Sequence, residues 1–364
     1  MNTTTTLLQP VIARPSAGVL GWAERGILPD LLIRRGIRNL CARRLGHELR
    51  GTLEERAERF RSRIESLGSS PIAIHADAAN AQHYELPPAF FQHCLGRRLK
   101  YSCGYYRRGD ETLDQAEEAM LELYAERAEL EDGQSILELG CGWGSLTLWM
   151  AERYPRASIR AVCNSHSQRQ FIEQQCLRRR IGNVQVTVED VSRLLIEPAR
   201  YDRCVSVEMF EHVRNYQRLL ENIAAGLAPG GKLFVHIFAH RSAMYPFETD
   251  AEDDWMGRFF FTGGLMPSID TLLWFQRHVR IERRWLVDGT HYRRTADHWL
   301  AHQDARRHLM LPVLESAYGA PNARLWFQRW RMFFMACAEL FGYHGGREWM
   351  VAHYRFVRQS CPGC

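Results

Sequence analysis

"ELGCGWGS", residues Glu138–Ser145, follows directly on the apolar run Ser135-Ile136-Leu137 and sets glycine at every second position, Gly140, Gly142 and Gly144. An apolar run that ends abruptly in glycines reads as a strand entering a tight turn, with a helix behind it. In a doubly wound sheet, ligands bind at the carboxyl ends of the strands, and the first such turn is the usual place. Glycine permits the turn and leaves no side chain between backbone and ligand. A glycine triplet alone does not name that ligand, because cofactors with and without a pyrophosphate use similar turns.

The flanking residues narrow the choice. Beta-like runs at Ser135–Leu139, Ser158–Val162, Val184–Val188, Arg203–Val207 and Lys232–Ile237 alternate with helical patterns at Leu146–Arg153, Gln168–Arg180 and Tyr216–Leu227. That rhythm predicts an α/β fold with a Rossmann-like, doubly wound parallel sheet. Val279–Val287 and Met350–Val357 are expected to add the last strands. Glu138 stands just before the turn, where a carboxylate suits a cation better than a phosphate. No Gly-Lys-Ser/Thr follows, which excludes a P-loop. The second strand ends at Cys163-Asn164-Ser165, with Gln168 on the next helix, giving neutral polar groups for a ribose. Glu189-Asp190-Val191 puts acceptors where an adenine amino group would donate. A positively charged, phosphate-free adenosine compound fits these stations: S-adenosylmethionine.

Composition sets the outer bounds. The 364 residues are 46% hydrophobic and 24% charged, ordinary for a globular protein, and the net charge of +5 is no nucleic-acid footprint. No apolar run approaches the roughly 18 residues that span a bilayer. Met1 to Leu8 carries threonines where a secretory signal needs a basic segment and an apolar core. The cysteines are scattered, with one C-x-x-C at Cys361–Cys364 in the terminal tail, so a metal is not expected and a reducing, cytoplasmic setting is. Residues 1–70 are read as a helical appendage and 71–364 as the catalytic domain, with Ser66–Pro71 as linker. Residues 288–348, helical and aromatic-rich from Thr295 to Glu348, are read as an insertion roofing the active site. Arginines from Arg34 to Arg50 interleave with Leu32, Ile33, Ile37, Leu40 and Leu45, which are expected roughly on one helical face. Either a solvated helix packed on the main body or a surface for anionic lipid headgroups fits that pattern, the first better. A homodimer is left open.

Further blocks carry a family resemblance: "QHYELPPAFF" (Gln82–Phe91), "LKYSCGYY" (Leu99–Tyr106), "CNSHSQ" (Cys163–Gln168), "EMFEHVRNY" (Glu208–Tyr216), "FFFTGGLMPS" (Phe259–Ser268) and "AELFGYHGGREWMVAHY" (Ala338–Tyr354). With the glycine turn, they resemble the cyclopropane-fatty-acyl-phospholipid synthase superfamily of S-adenosylmethionine-dependent methyltransferases. Within it they are most similar to the plant tetrahydroisoquinoline alkaloid N-methyltransferases of the coclaurine type. The resemblance implies a class I methyltransferase fold in which Tyr101 and Ser102 touch the cofactor. The turn with Glu138, Gly140, Cys141, Gly142, Gly144 and Ser145 would hold its methionine end. Asn164 and Gln168 would meet the ribose, and Asp190 and Val191 would flank the adenine.

Two acceptors remain open at this stage. In "EMFEH", Glu208, Glu211 and His212 stand three and four apart, on one face if a helix starts there. Paired carboxylates can hold an ammonium, and one with its pKa raised by the other can take a proton. That reading, favoured here, is N-methylation of a small aromatic amine. By resemblance, Cys103, Glu211, His236 and Tyr292, with the backbone of Phe238, match the cradle of a bicarbonate ion in the cyclopropane synthases, which act on unsaturated phospholipid acyl chains. Those synthases carry glycine where Glu208 stands; they also carry a cysteine like Cys337, which is more simply read as packing. The rings of Trp326, Phe327, Trp330, Phe333 and Phe334 would stack on a flat amine, wall a lipid tunnel, or serve as core.

Overall fold

A computed structural model describes residues 13–74, 86–249 and 254–359. Met1 to Leu8, Gln82 to Glu85 and the Cys361/Cys364 pair lie outside the described residues. Seven strands form one sheet in the order β3-β2-β1-β4-β5-β9-β8: β1 Ser135–Leu139, β2 Ser158–Cys163, β3 Val184–Val188, β4 Tyr201–Val207, β5 Leu227–His240, β8 Val279–Val287 and β9 Trp349–Arg358. Two short strands, β6 Tyr245–Pro246 and β7 Leu265–Met266, pair apart from it. β1 to β5 are parallel, and β9 runs antiparallel to both β5 and β8. The strand runs and the helices between them fall where the sequence places them, within a few residues.

The central strands are largely apolar because both faces are covered. Along β5, Phe234 enters one core while Leu233 and Val235 enter the other, as the two-residue period requires. Strand order reverses between β1 and β4, so a crevice opens at their carboxyl ends.

Between β8 and β9 the chain is helical, at Gly289–Ala305, Arg307–Tyr318 and Ala323–Phe341. Most of its rings are core: Trp330, Phe333 and Phe334 are buried, and Phe333 stacks on Phe260 at 4.5 Å. The N-terminal helices Gly18–Glu24 and Asp30–Glu48 pack on this region. Glu24, fully buried, pairs with Arg329 at 3.1 Å and accepts from the Trp255 indole at 2.8 Å. Arg34 reaches Asp297 at 2.7 Å and Glu339 at 2.9 Å, and Arg38 reaches Glu339 at 2.6 Å.

Two expectations are corrected. The apolar residues of Asp30–Glu48 do not form one stripe: Ile33 is buried, whereas Leu32 and Leu40 are 52% and 45% exposed. Ser66 to Ser69 are not a linker but the last turn of the helix Leu53–Ser69. Its Thr52/Glu55 capping box starts the helix strongly, and Ile64 and Leu67 anchor it, so the break falls at Ser70-Pro71.

Candidate active site

The crevice is lined by Tyr101 and Ser102, by the turn residues Glu138, Gly140, Cys141, Gly142 and Ser145, by Asn164 and Gln168, and by Asp190 and Val191. Glu208 and His212 line the same cavity from the end of β4. Residues scattered over more than a hundred positions thus meet at one place.

The three glycines of the turn have φ of +80°, +53° and +79°, which explains their presence before any ligand is considered. A side chain on Gly142 would meet open space, consistent with bare backbone facing the cavity. The other two are different. A Cβ on Gly140 would sit 2.9 Å from Met209, and one on Gly144 would sit 2.7 Å from Ile172. Gly144 does not line the cavity; it caps the helix Ser145–Arg153 and lets the next helix pack close. That packing accounts for the glycine at this position without a ligand.

Glu138 is buried at 3% exposure, and the Thr147 hydroxyl donates to its Oε2 at 2.6 Å. Burial pushes its pKa up to about 7, leaving a carboxyl that gains from a cationic ligand. The Ser145 hydroxyl and the Gln168 side-chain amide nitrogen are buried and have no hydrogen-bond partner among the described residues. Buried polar atoms need partners, and a polar ligand in this cavity supplies them. The donor and acceptor set therefore fits S-adenosylmethionine.

Glu208 occupies the far end. It follows β4 in a left-handed conformation, φ +49°, which turns its side chain into the cavity. Three donors meet it: the Cys103 backbone N–H at 3.2 Å, His236 Nε2 at 3.1 Å, and the Tyr292 hydroxyl at 2.7 Å. Burial nonetheless raises its pKa to about 7, against the pull of Lys100 and of these bonds.

The expected common face of Glu208, Glu211 and His212 is not formed. Only one 3₁₀ turn, Phe210–His212, stands there, with Glu208 ahead of it. Glu211, fully buried, accepts from Phe238 N–H at 2.7 Å, and burial together with Glu208 drives its pKa up. His212 lines the cavity beside Glu208, its ring 4.7 Å from that of Phe261, and burial pushes its pKa down to about 4.

The two cysteines are thiols. The Cys103 Sγ donates to its neighbour's carbonyl, Gly104 O, at 3.1 Å, and burial raises its pKa. Cys337 is also shifted up, by burial and then by Glu208, so neither has thiolate character.

Several residues of the site carried no assignment in the sequence reading. Lys100 is buried in the cavity wall, donates to Ser102 Oγ at 2.5 Å and to Cys103 O at 2.7 Å, and has its pKa lowered to about 8 by burial. Tyr124, Thr147 and His353 are equally hidden. Lys100 and His353 fall inside quoted motif blocks, a usable signal; Thr147 sits within a helical pattern that marks only burial, and Tyr124 lies on the helix Leu113–Ala128, outside every pattern and block named from the sequence.

The chain matches the family model described as "Mycolic acid cyclopropane synthetase" over residues 73–345. It is 38% identical over 340 residues to (S)-coclaurine N-methyltransferase of Thalictrum flavum subsp. glaucum, covering 92% of this chain and 94% of that one. It is 26% identical over 343 residues to the cyclopropane-fatty-acyl-phospholipid synthase of Escherichia coli K12, covering 93% and 82%. The solved structure of coclaurine N-methyltransferase bound to N-methylheliamine and SAH superposes with a TM-score of 0.88 at 37% identity, covering 92% of this chain and 97% of that one.

Proposed function

The chain belongs to the mycolic acid cyclopropane synthetase family and is an S-adenosylmethionine-dependent methyltransferase; from that premise we propose that it methylates the nitrogen of a small aromatic amine, with Glu208 as the base. Bound S-adenosylmethionine supplies a methyl group on a sulfonium, which an amine lone pair takes in line as the C–S electrons return to sulfur.

One observation carries the choice of acceptor. The donors that the family resemblance assigns to a bicarbonate ion, at Cys103, His236 and Tyr292, all converge on the Glu208 carboxylate. Glu208 is itself a planar carboxylate, so the chain supplies covalently the base that the acyl-chain chemistry borrows from solution. Beside an acyl chain this buried carboxylate would be an unpaired charge; beside an ammonium it is paired. With a pKa near 7, Glu208 takes a proton from a bound ammonium, freeing the nitrogen lone pair for attack. His212, kept neutral by burial, lies on the cavity wall as a second proton acceptor. Glu211 supports the strand end by accepting from the Phe238 N–H.

Phe238, Phe247 and Phe341 surround Phe261 and Tyr292, with Phe247–Phe261 at 4.7 Å and Phe341–Tyr292 stacked at 4.1 Å. Rings gathered beside Glu208, which Tyr292 joins directly, favour a flat cation by stacking and cation–π attraction. Relatives named for coclaurine and pavine carry the same chemistry in their names, which supports the amine reading.

The test is label transfer from methyl-labelled S-adenosylmethionine, offered a tetrahydroisoquinoline panel and, separately, liposomes of unsaturated phospholipid with bicarbonate. Label in the amine fraction alone is expected. Transfer to lipid with every amine ignored would overturn the reading.

A further inference from the structure

Behind Glu208 a row of side chains runs through the sheet towards its edge. His236 on β5 faces His353 on β9, its register partner, and His353 faces Trp285 on β8. His353 Nε2 lies 3.0 Å from His236 Nδ1, and both rings are fully buried. Arg127, half-buried at the end of the helix Leu113–Ala128, sets its guanidinium over the Trp285 ring and brings NH1 to 2.7 Å from His353 Nδ1.

The chemistry of these atoms fixes where the protons sit. A guanidinium only donates, so His353 Nδ1 accepts. A neutral imidazole that accepts at Nδ1 carries its proton on Nε2, and therefore donates to His236 Nδ1. His236 in turn carries its proton on Nε2, the nitrogen 3.1 Å from Glu208 Oε1. Tyr124 acts in the same sense, its hydroxyl lying 2.8 Å from His236 Nδ1. Burial, with Lys100 and Arg127 nearby, keeps both imidazoles neutral.

We infer that Arg127, acting through His353, fixes His236 as the Nε2–H tautomer and so makes it a hydrogen-bond donor to Glu208, which makes Arg127 a positioning residue for the carboxylate at a distance from the reacting atoms. The inference rests on the reading of Glu208 as base. The opposite polarity is available to the same atoms: His353 protonated on Nδ1, His236 donating from Nδ1 and presenting a lone pair to Glu208. That arrangement favours a protonated Glu208, which is no base. Arg127 removes it. The same polarity also means that this row cannot carry away the proton Glu208 takes, since every member already donates towards it.

The groups that face Glu208 from the packed elements are Lys100, Cys103, Glu211, His212, His236, Tyr292 and Cys337, and those that face the histidine pair are Lys100, Tyr124 and Arg127. The test uses the full chain labelled with ¹⁵N-histidine, in which long-range proton–nitrogen spectra report each tautomer directly. Three variants are compared with wild type: Arg127→Met, Arg127→Lys, and Arg127→Met combined with Tyr124→Phe. Wild type and Arg127→Lys, which keeps a cationic donor, are expected to show His236 as Nε2–H. The double variant is expected to show Nδ1–H, and Arg127→Met alone a measurable fraction of it, which decides the matter should the double variant not fold. The rising limb of kcat/KM against pH is expected to move up by about one unit in the double variant, about a tenfold loss near neutrality that alkaline pH restores. An unchanged His236 tautomer in the Arg127→Met variants overturns the inference. The spectra need no acceptor, so they decide it even if wild type methylates no amine, an outcome that would instead strike the reading of function.

Discussion

The Tyr292 hydroxyl donates to Glu208 Oε2 at 2.7 Å, joining the helix after β8 to the strand end of β4, and the Tyr292 ring is held flat against Phe341 at 4.1 Å. A hydrogen bond to a charged group contributes roughly 1.5–3 kcal/mol, more than its neutral counterpart. Removing it destabilises the anion, so the Glu208 pKa rises from about 7 and the activity that needs the anion appears only at higher pH. Tyr292→Phe is therefore expected to shift the rising limb of kcat/KM upward by about one unit or more. Activity near pH 9 should approach wild type; a uniform loss at all pH values would show that Tyr292 serves the acceptor rather than Glu208.

Glu208 itself makes an unusual substitution informative. Its φ of +49° strains an L-residue and suits glycine. Glu208→Gly is expected to fold and to bind S-adenosylmethionine within a few-fold of wild type, because the turn at Gly140–Ser145 is untouched. Amine methylation should fall by about 10²–10⁴-fold, the usual scale for a lost general base. Calorimetry for the cofactor and single-turnover label transfer separate the two effects. Turnover within a few-fold of wild type would remove Glu208 from the chemistry.

Cofactor affinity should depend on pH through Glu138. Its buried carboxyl titrates at about 7, and a cationic ligand favours the ionised form. As pH falls below 7, binding must first expel the proton, so the dissociation constant rises, approaching tenfold per pH unit. Glu138→Gln is expected to bind more weakly at pH 8 and to flatten this dependence. A pH-independent affinity in wild type between about pH 6 and 8 would count against a carboxylate–cation contact at that place.

The frame of the molecule was legible because its signals are local. Apolar runs such as Ser135–Leu139, the glycine turn and the helices after it each declare themselves within a dozen residues. The crevice-lining residues Glu138, Asn164 and Asp190 stood out for the same reason, since each lies at or just after a strand end. What pairs with what did not. The spacing of Glu208, Glu211 and His212 suggested one helical face, yet the chain there is a strand end and a single 3₁₀ turn, so Glu208 and His212 reach the cavity while Glu211 turns to the Phe238 backbone. The partners of Glu208 come from Cys103, His236 and Tyr292, held together by tertiary packing that no periodicity records. The favoured reading of the arginine-rich helix as one packed on the main body holds, but charge pattern alone does not say that Arg34 has acidic partners hundreds of residues away.

That helix supplies the last prediction. Arg34, with its side chain 21% exposed, bridges Asp297 and Glu339 from the two long helices of the insertion between β8 and β9. Partial exposure screens the pairs, so Arg34→Gln should cost about 1 kcal/mol of stability rather than the several expected in a dry core. The loss should shrink as salt is added, since the wild-type pairs weaken while the variant has none to lose. Sedimentation with anionic vesicles is expected to be the same for wild type and variant, because the guanidinium is already committed to carboxylates of its own chain. If instead the variant melts like wild type at low salt but loses vesicle binding, Arg34 meets lipid headgroups, and the ion pairs give way when a membrane is offered.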